Sequence, residues 1–226
     1  MTTYIDNKYL RFHGELQNNK YVDQQLREYF PNYDYKGIFF DVGAFEPITI
    51  SNSHHFYMNG WEVYSFEAIP ENVSKLAQHR KHVFNYAISD HDIDNITFSQ
   101  VHAGGPNGWT ASYSAINLSD EYKKIFGWSP ANVVKTINVP QRKLDTIIKE
   151  YIPNLERIDI MSLDIEGGEY ECLRGLDIAK HKPYVIVLEN ASHTNKYTEY
   201  LSQFGYRLDK NSSYNYYFVA DDKPSF

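Results

Sequence analysis

Four apolar runs in this chain each end on an acid, and that repetition constrains the fold more than any other feature. Gly37-Ile38-Phe39-Phe40 leads into Asp41-Val42-Gly43, and Trp61-Glu62-Val63-Tyr64-Ser65-Phe66 ends on Glu67. Residues 158–163 are followed by Asp164, and residues 184–188 by Glu189-Asn190. Short, nearly continuous apolar runs are the pattern of strands buried on both faces. Helix-like segments separate them, so the chain predicts a mostly parallel α/β sheet, doubly wound, with right-handed crossovers. The ligand site of such a sheet lies at the carboxyl ends of its strands, where these acids stand.

The intervening segments fit that plan. Residues 22–30 carry Val22, Leu26, Tyr29 and Phe30 at helical spacing before Pro31, and predict a helical cap over residues 1–36 ahead of the sheet. Residues 49–59 predict a helix with Ser51 and Asn52 as caps and Gly60 as its stop. Residues 70–80 predict another, with Pro70 in its first turn. Residues 83–88 read as a third strand, 95–101 as an additional half-exposed strand, 135–139 as another, and 144–151 as a short helix. Residues 169–176 and 194–204 read as helices, and 206–209 with 214–220 as a terminal hairpin joined through Asn211-Ser212-Ser213. The rhythm breaks over residues 102–134, an insertion within the main domain at 37–226. Such insertions serve as lids or substrate loops, or merely decorate the surface. Trp109, Tyr113 and Trp128 within it could stack on a sugar or pack the loop onto the domain.

Composition narrows the function. A chain of 226 residues with 42% hydrophobic content holds one decorated domain or at most two small ones. A net charge of −7 and the lack of a basic stripe argue against nucleic acid as partner. No apolar run approaches the roughly 18 residues of a membrane span. The first 20 residues are polar and mixed in charge, unlike a signal peptide. With the single Cys172, that predicts a reducing, cytoplasmic setting. The 20 tyrosines reflect either biased base composition or a sugar-binding surface.

The acids at the strand ends separate by chemistry. Gly43 permits a tight turn and a close ligand approach. Glu67 follows Asp41 by 67 − 41 = 26 positions, near the roughly 20-residue spacing at which doubly wound folds place a ribose-binding carboxylate. Asp90, after Ser89, could receive an adenine amino group. There is no Gly-x-Gly-x-x-Gly; Phe45, Glu46 and Pro47 stand where a pyrophosphate would need free amides and no negative charge. An acidic rim suits a cationic nucleoside cofactor, which points to S-adenosylmethionine over a dinucleotide.

The segments 39–44, 66–72, 85–90, 144–145, 159–167 and 185–189, in that order and spacing, resemble the FkbM-type S-adenosylmethionine-dependent methyltransferases over about residues 37–190. The resemblance implies a class I (Rossmann-like) methyltransferase fold, a seven-stranded mostly parallel sheet with an antiparallel hairpin at its C-terminal end. It implies O-methylation of a hydroxyl on a sugar, glycan or related small molecule. By motif, Asp41, Gly43, Ala44, Phe45 and Glu67 would bind the cofactor, with Ala68, Ile69, Ser89 and Asp90 near the adenine. The chain departs from the family after Ala44, where Phe45, Glu46 and Pro47 replace the usual Asn and Gly.

Methyl transfer needs alignment of donor and acceptor and a base for the hydroxyl proton. The candidate bases are Asp164, Glu166 and His193, with His54 and His55 behind them. Asp164 with Glu189 and Asn190 is also similar to the ligand set of magnesium-dependent catechol-type methyltransferases, and hard oxygen donors suit Mg²⁺. The competing assignment has Asp164 on the cofactor or substrate and Glu189 capping a helix. Two rival functions remain open: a non-catalytic nucleoside-binding protein of the same fold, and an NAD-dependent oxidoreductase. The sequence leaves the oligomeric state and the acceptor unassigned.

Overall fold

The computed structural model describes residues 11–101, 124 and 133–225. Its centre is a seven-stranded sheet built on β3 (Ile38–Val42), β4 (Glu62–Phe66), β5 (His82–Phe84), β9 (Ile160–Leu163), β10 (Val185–Glu189), β11 (Tyr206–Ser212) and β12 (Asn215–Ala220). The spatial order is β11-β12-β10-β9-β3-β4-β5. β5, β4, β3, β9 and β10 run parallel, whereas β12 is antiparallel to both β10 and β11. The order reverses between β3 and β9, where crossovers leave in opposite directions and open a crevice at the strand ends.

Alternate residues of each central strand feed opposite faces, as a pleated strand requires. Phe39, Ile160, Val185, Val187 and Tyr217 join one buried cluster, with Val22 and Leu26 of α1 (Val22–Arg27) and Phe56 of α2 (His54–Met58). Phe40, Met161, Ile186, Leu188 and Phe218 join the other, under Leu144, Ile147 and Ile148 of α3 (Leu144–Tyr151) and Leu173 of α4 (Glu169–Arg174). Both faces are covered, which is why the strand sequences lack polar alternation. The segment ahead of the sheet thus packs into the core through α1. It also carries a small hairpin, β1 (Leu16–Gln17) and β2 (Lys20–Tyr21), turned by Asn18 and Asn19 with φ of 49° and 64°. Two successive left-handed residues make the turn that matches strand twist, and Asn is among the few side chains that tolerate it.

Three expectations are corrected. The run 83–88 is not one strand: β5 ends at Phe84, and β6 (Ala87–Ile88) joins a second, three-stranded sheet of order β6-β8-β7 with β7 (Ile93–Val101) and β8 (Val133–Arg142). The break falls at Asn85, whose Nδ2 donates to the carbonyls of Glu67 at 3.0 Å and Ala68 at 2.9 Å. A side-chain amide thereby replaces strand pairing and releases the chain from the sheet. The helix expected over 49–59 spans only α2; Asn52 and Ser53 instead turn their side chains to Ser162 Oγ and Asp41. The terminal hairpin turns at Ser213-Tyr214, one step later than expected. Residues 102–123 and 125–132, which hold most of the expected insertion with Trp109, Tyr113 and Trp128, lie outside the described residues.

Gly43 fixes the crevice. It has φ of +85°, its N–H donates to Phe66 O at 3.0 Å, and a Cβ there would overlap the Asp164 carbonyl oxygen. Gly60 has a similar φ of +82° but an added Cβ meets only Lys36 methylenes at 3.5 and 3.6 Å. Gly60→Ala is expected to cost about 1 kcal/mol, the left-handed penalty alone, whereas Gly43→Ala adds a backbone clash and should cost well beyond about 2 kcal/mol. Urea unfolding of the two variants checks this; equal losses would contradict it.

Candidate functional site

A cavity of about 490 Å³ opens at the carboxyl ends of β3, β4 and β9. One wall is Gly43 and Phe45 from the loop after β3, with Asp164, Ile165 and Glu166 from the loop after β9. The floor is Glu67, Ala68 and Ile69 after β4. The far end is Ser89, Asp90 and His91 with Ile93 and Phe98 of β7 and Gln141 of β8. The second sheet therefore closes one end of the crevice that the first sheet opens. Gln141 Nε2 donates to the His91 carbonyl at 2.9 Å and so holds the 89–91 segment in the wall. Phe98 and Gln141 were not foreseen as site residues. The available signal was the half-exposed strand read over 95–101, whose inward face had no assigned partner.

Glu67 organises the wall. It is 7% exposed, its Oε2 accepts the Phe45 N–H at 2.9 Å, and its Oε1 accepts the Ile69 N–H at 2.7 Å. One carboxylate thus ties the loop after β3 to the loop after β4. Burial pushes its pKa up to about 7, opposed by those backbone donors.

The remaining foreseen residues divide by position. Gly43, Phe45, Glu67, Ala68, Ile69, Ser89, Asp90, Asp164 and Glu166 line the cavity; Asp41, Ala44, His193, Glu189 and Asn190 do not. Asp41 is 4% exposed and accepts from Ser53 Oγ at 2.6 Å, which makes it a tie between β3 and the turn before α2. Asn190 is consumed by its own turn: Oδ1 accepts the Thr194 N–H at 3.0 Å and Nδ2 donates to the Thr194 carbonyl at 2.9 Å. The carboxyl groups that converge are instead Asp164, Glu166 and Glu189, with oxygens within 4.8 Å of one another. His193, with φ of 51°, shares a 3.0 Å hydrogen bond between Nδ1 and the Tyr216 hydroxyl, and its ring centroid lies 5.6 Å from that of Tyr214. His54 and His55 belong to α2; burial holds both near a pKa of about 4.

Among the described residues the cavity lining contains Glu67, Asp90, Asp164, Glu166 and Glu171 and neither lysine nor arginine. Asp90 is partnered by Arg174 Nη2 at 3.3 Å from outside the lining. Burial first, then the neighbouring Glu189 and Glu15, raise the Asp164 pKa well above its ordinary value. An acid in that position holds its proton more tightly folded than unfolded. Its contribution to stability is therefore present below pH 3.8 and lost as pH rises through the folded value. Asp164→Asn is expected to stabilise the unliganded protein by about 1 kcal/mol at pH 8, with the gain vanishing toward pH 4, in denaturant titrations. If the trio is instead a magnesium site, millimolar Mg²⁺ will stabilise the wild type at pH 8 and leave Asp164→Asn unmoved.

Comparison with known proteins bears on this geometry. The family model described as the methyltransferase FkbM domain matches residues 41–208, from the end of β3 to β11. A stretch of 47 residues is 38% identical to "Methyltransferase sdnD" of Sordaria araneosa, covering 18% of this chain and 18% of that protein. Among the described residues no helix is long and apolar enough to cross a membrane. The family match covers well over half of the chain and takes in every strand end that builds the cavity: the chain belongs to the FkbM methyltransferase family.

Proposed function

We propose that the protein is an S-adenosylmethionine-dependent O-methyltransferase of the class I, Rossmann-like type that methylates a hydroxyl on a sugar, glycan or related small molecule. The observation that carries this reading is the cavity lined, among the described residues, by five acidic residues and neither lysine nor arginine. A dinucleotide brings a pyrophosphate that such a wall repels, whereas a sulfonium with an adjacent amino group is attracted. In this reading Glu67 takes the ribose hydroxyls, and Ile69, Ser89, Asp90 and Phe98 surround the adenine. Gly43 and the backbone near it face the methionine part.

The reaction is an in-line displacement. Bound S-adenosylmethionine would supply the methyl group, the acceptor oxygen taking the methyl carbon while sulfur keeps the electron pair of the broken bond, and the hydroxyl proton would pass to a base. Asp164 suits that role, because a carboxylate whose pKa is raised by burial and like charge is a stronger base than an exposed one. Glu166 and Glu189 stand within reach to accept acceptor hydroxyls. His193 follows β10 and is close to Tyr214 and to Tyr216 of β12, and aromatic rings of this kind cover the apolar face of a sugar. His193 then acts through its tie to Tyr216 rather than as the base.

Isothermal titration with S-adenosylhomocysteine and with NAD tests the reading. S-Adenosylhomocysteine is expected to bind and NAD not; tight NAD binding without the other would overturn it. The pH dependence has a sign. A ligand that hydrogen-bonds ionised Glu67 releases the proton that group holds below about 7. Affinity should therefore weaken about tenfold per unit as pH falls from 7 to 5, and a flat profile would exclude Glu67 from the ribose role.

A further inference from the structure

Phe45 occupies an uncommon backbone position for an aromatic residue. Its φ is 47°, in the left-handed region that bulky side chains rarely enter. Such a conformation persists where the surroundings over-determine it, and it concentrates at ligand sites. Here the surroundings are visible. The N–H groups of Gly43 and Ala44 both donate to Phe66 O, at 3.0 and 3.2 Å, and the Phe45 N–H donates to Glu67 Oε2 at 2.9 Å. Three successive amides are thus pinned to the end of β4, and the pin aims residue 45 at the cavity wall. The ring is not spent on the core: among the described residues Phe45 joins none of the three buried hydrophobic clusters and stacks on no other ring. An aromatic side chain held in a strained conformation on a cavity wall, outside the core clusters, is a candidate ligand contact.

Its neighbours say which part of a ligand it meets. Phe45 is hydrogen-bonded to Glu67 and follows β3, which pairs with β9 and meets Asp164 at Gly43, whereas Ser89 and Asp90 follow β6 and Phe98 lies on β7 of the second sheet. In the reading above, on which this inference rests, Glu67 holds the ribose and the far end holds the adenine. The sulfur of a 5′-sulfonium nucleoside lies two bonds beyond the ribose ring, on the side away from the base. That is where Phe45 stands. We propose that Phe45 faces the sulfonium of the bound cofactor and is the residue through which the site distinguishes the charged methyl donor from its neutral product. The negative face of an aromatic ring attracts a cation and is indifferent to a neutral thioether. The carboxylates favour the donor too, but they also draw the amino group that donor and product share; the ring at the sulfur acts on the difference.

The test compares S-adenosylmethionine and S-adenosylhomocysteine on wild type, Phe45→Leu and Phe45→Gly by isothermal titration at pH 8. Leucine keeps apolar bulk; glycine removes the ring and relieves the left-handed strain, so it does not endanger folding. Both variants are expected to lose about fivefold in affinity for S-adenosylmethionine and less than about twofold for S-adenosylhomocysteine, and Phe45→Tyr to keep both affinities. Equal losses for the two ligands would place the ring on the nucleoside and overturn the proposal, as would no loss for either. If the wild type binds neither ligand, the cofactor reading itself fails, which is a separate outcome.

Discussion

The structure turns on one close approach, the packing of Gly43 against the carbonyl of Asp164. β3 and β9 are neighbours in the sheet, and Asp164 N–H donates to Val42 O at 3.0 Å just before the chains part. No side chain fits between them, so the loops after both strands begin at the same point and fan out from it. Everything functional in the molecule follows from that point. The loop after β3 delivers Phe45, the loop after β9 delivers Asp164 and Glu166, and the crevice between them is the cavity. A side chain at position 43 would push the two loops apart and remove the shared wall.

The Glu67 carboxylate is the second constraint, and it works by taking two backbone donors that the loops cannot satisfy by themselves. A buried carboxylate with two amide partners is a rigid tie, and its rigidity is what a binding wall needs. The same burial raises its pKa, so the tie and the pH response have one cause. The acids around Asp164 show the converse. Asp164, Glu166 and Glu189 crowd together, and burial with the neighbouring acids raises the Asp164 pKa well above its ordinary value. Functional sites commonly carry such a cost in stability.

Much of this was legible in the sequence, and for a physical reason. Central strands covered on both faces must be apolar throughout, so 38–42, 62–66, 160–163 and 185–188 announce themselves, and the acid after each run marks the edge where burial ends. The Gly43 turn and the Glu67 floor follow from the same pattern. What was not legible depended on tertiary partners. Asn85 ends a strand because the carbonyls of Glu67 and Ala68 happen to lie beside it. Asn190 reads as a ligand by its place after β10, yet its amide closes its own turn with Thr194, and Glu166 takes its place among the converging groups. Asp41 reads as a cofactor contact, but its side chain alternates onto the face that packs Ser53. Phe98 and Gln141 reach the cavity only because a second sheet folds over it, an arrangement that no local pattern encodes.

The central claim is that the Gly43–Glu67–Asp164 cavity holds a nucleoside cofactor with its charged end toward Phe45 and the acids. A crystal structure with S-adenosylhomocysteine tests it most directly. The account predicts both ribose hydroxyls on the Glu67 carboxylate, the adenine between Ile69 and Phe98, and the sulfur beside Phe45 with Asp164 beyond it. A ligand bound in the reverse sense, with its adenine at Phe45, or bound outside this cavity, would contradict it.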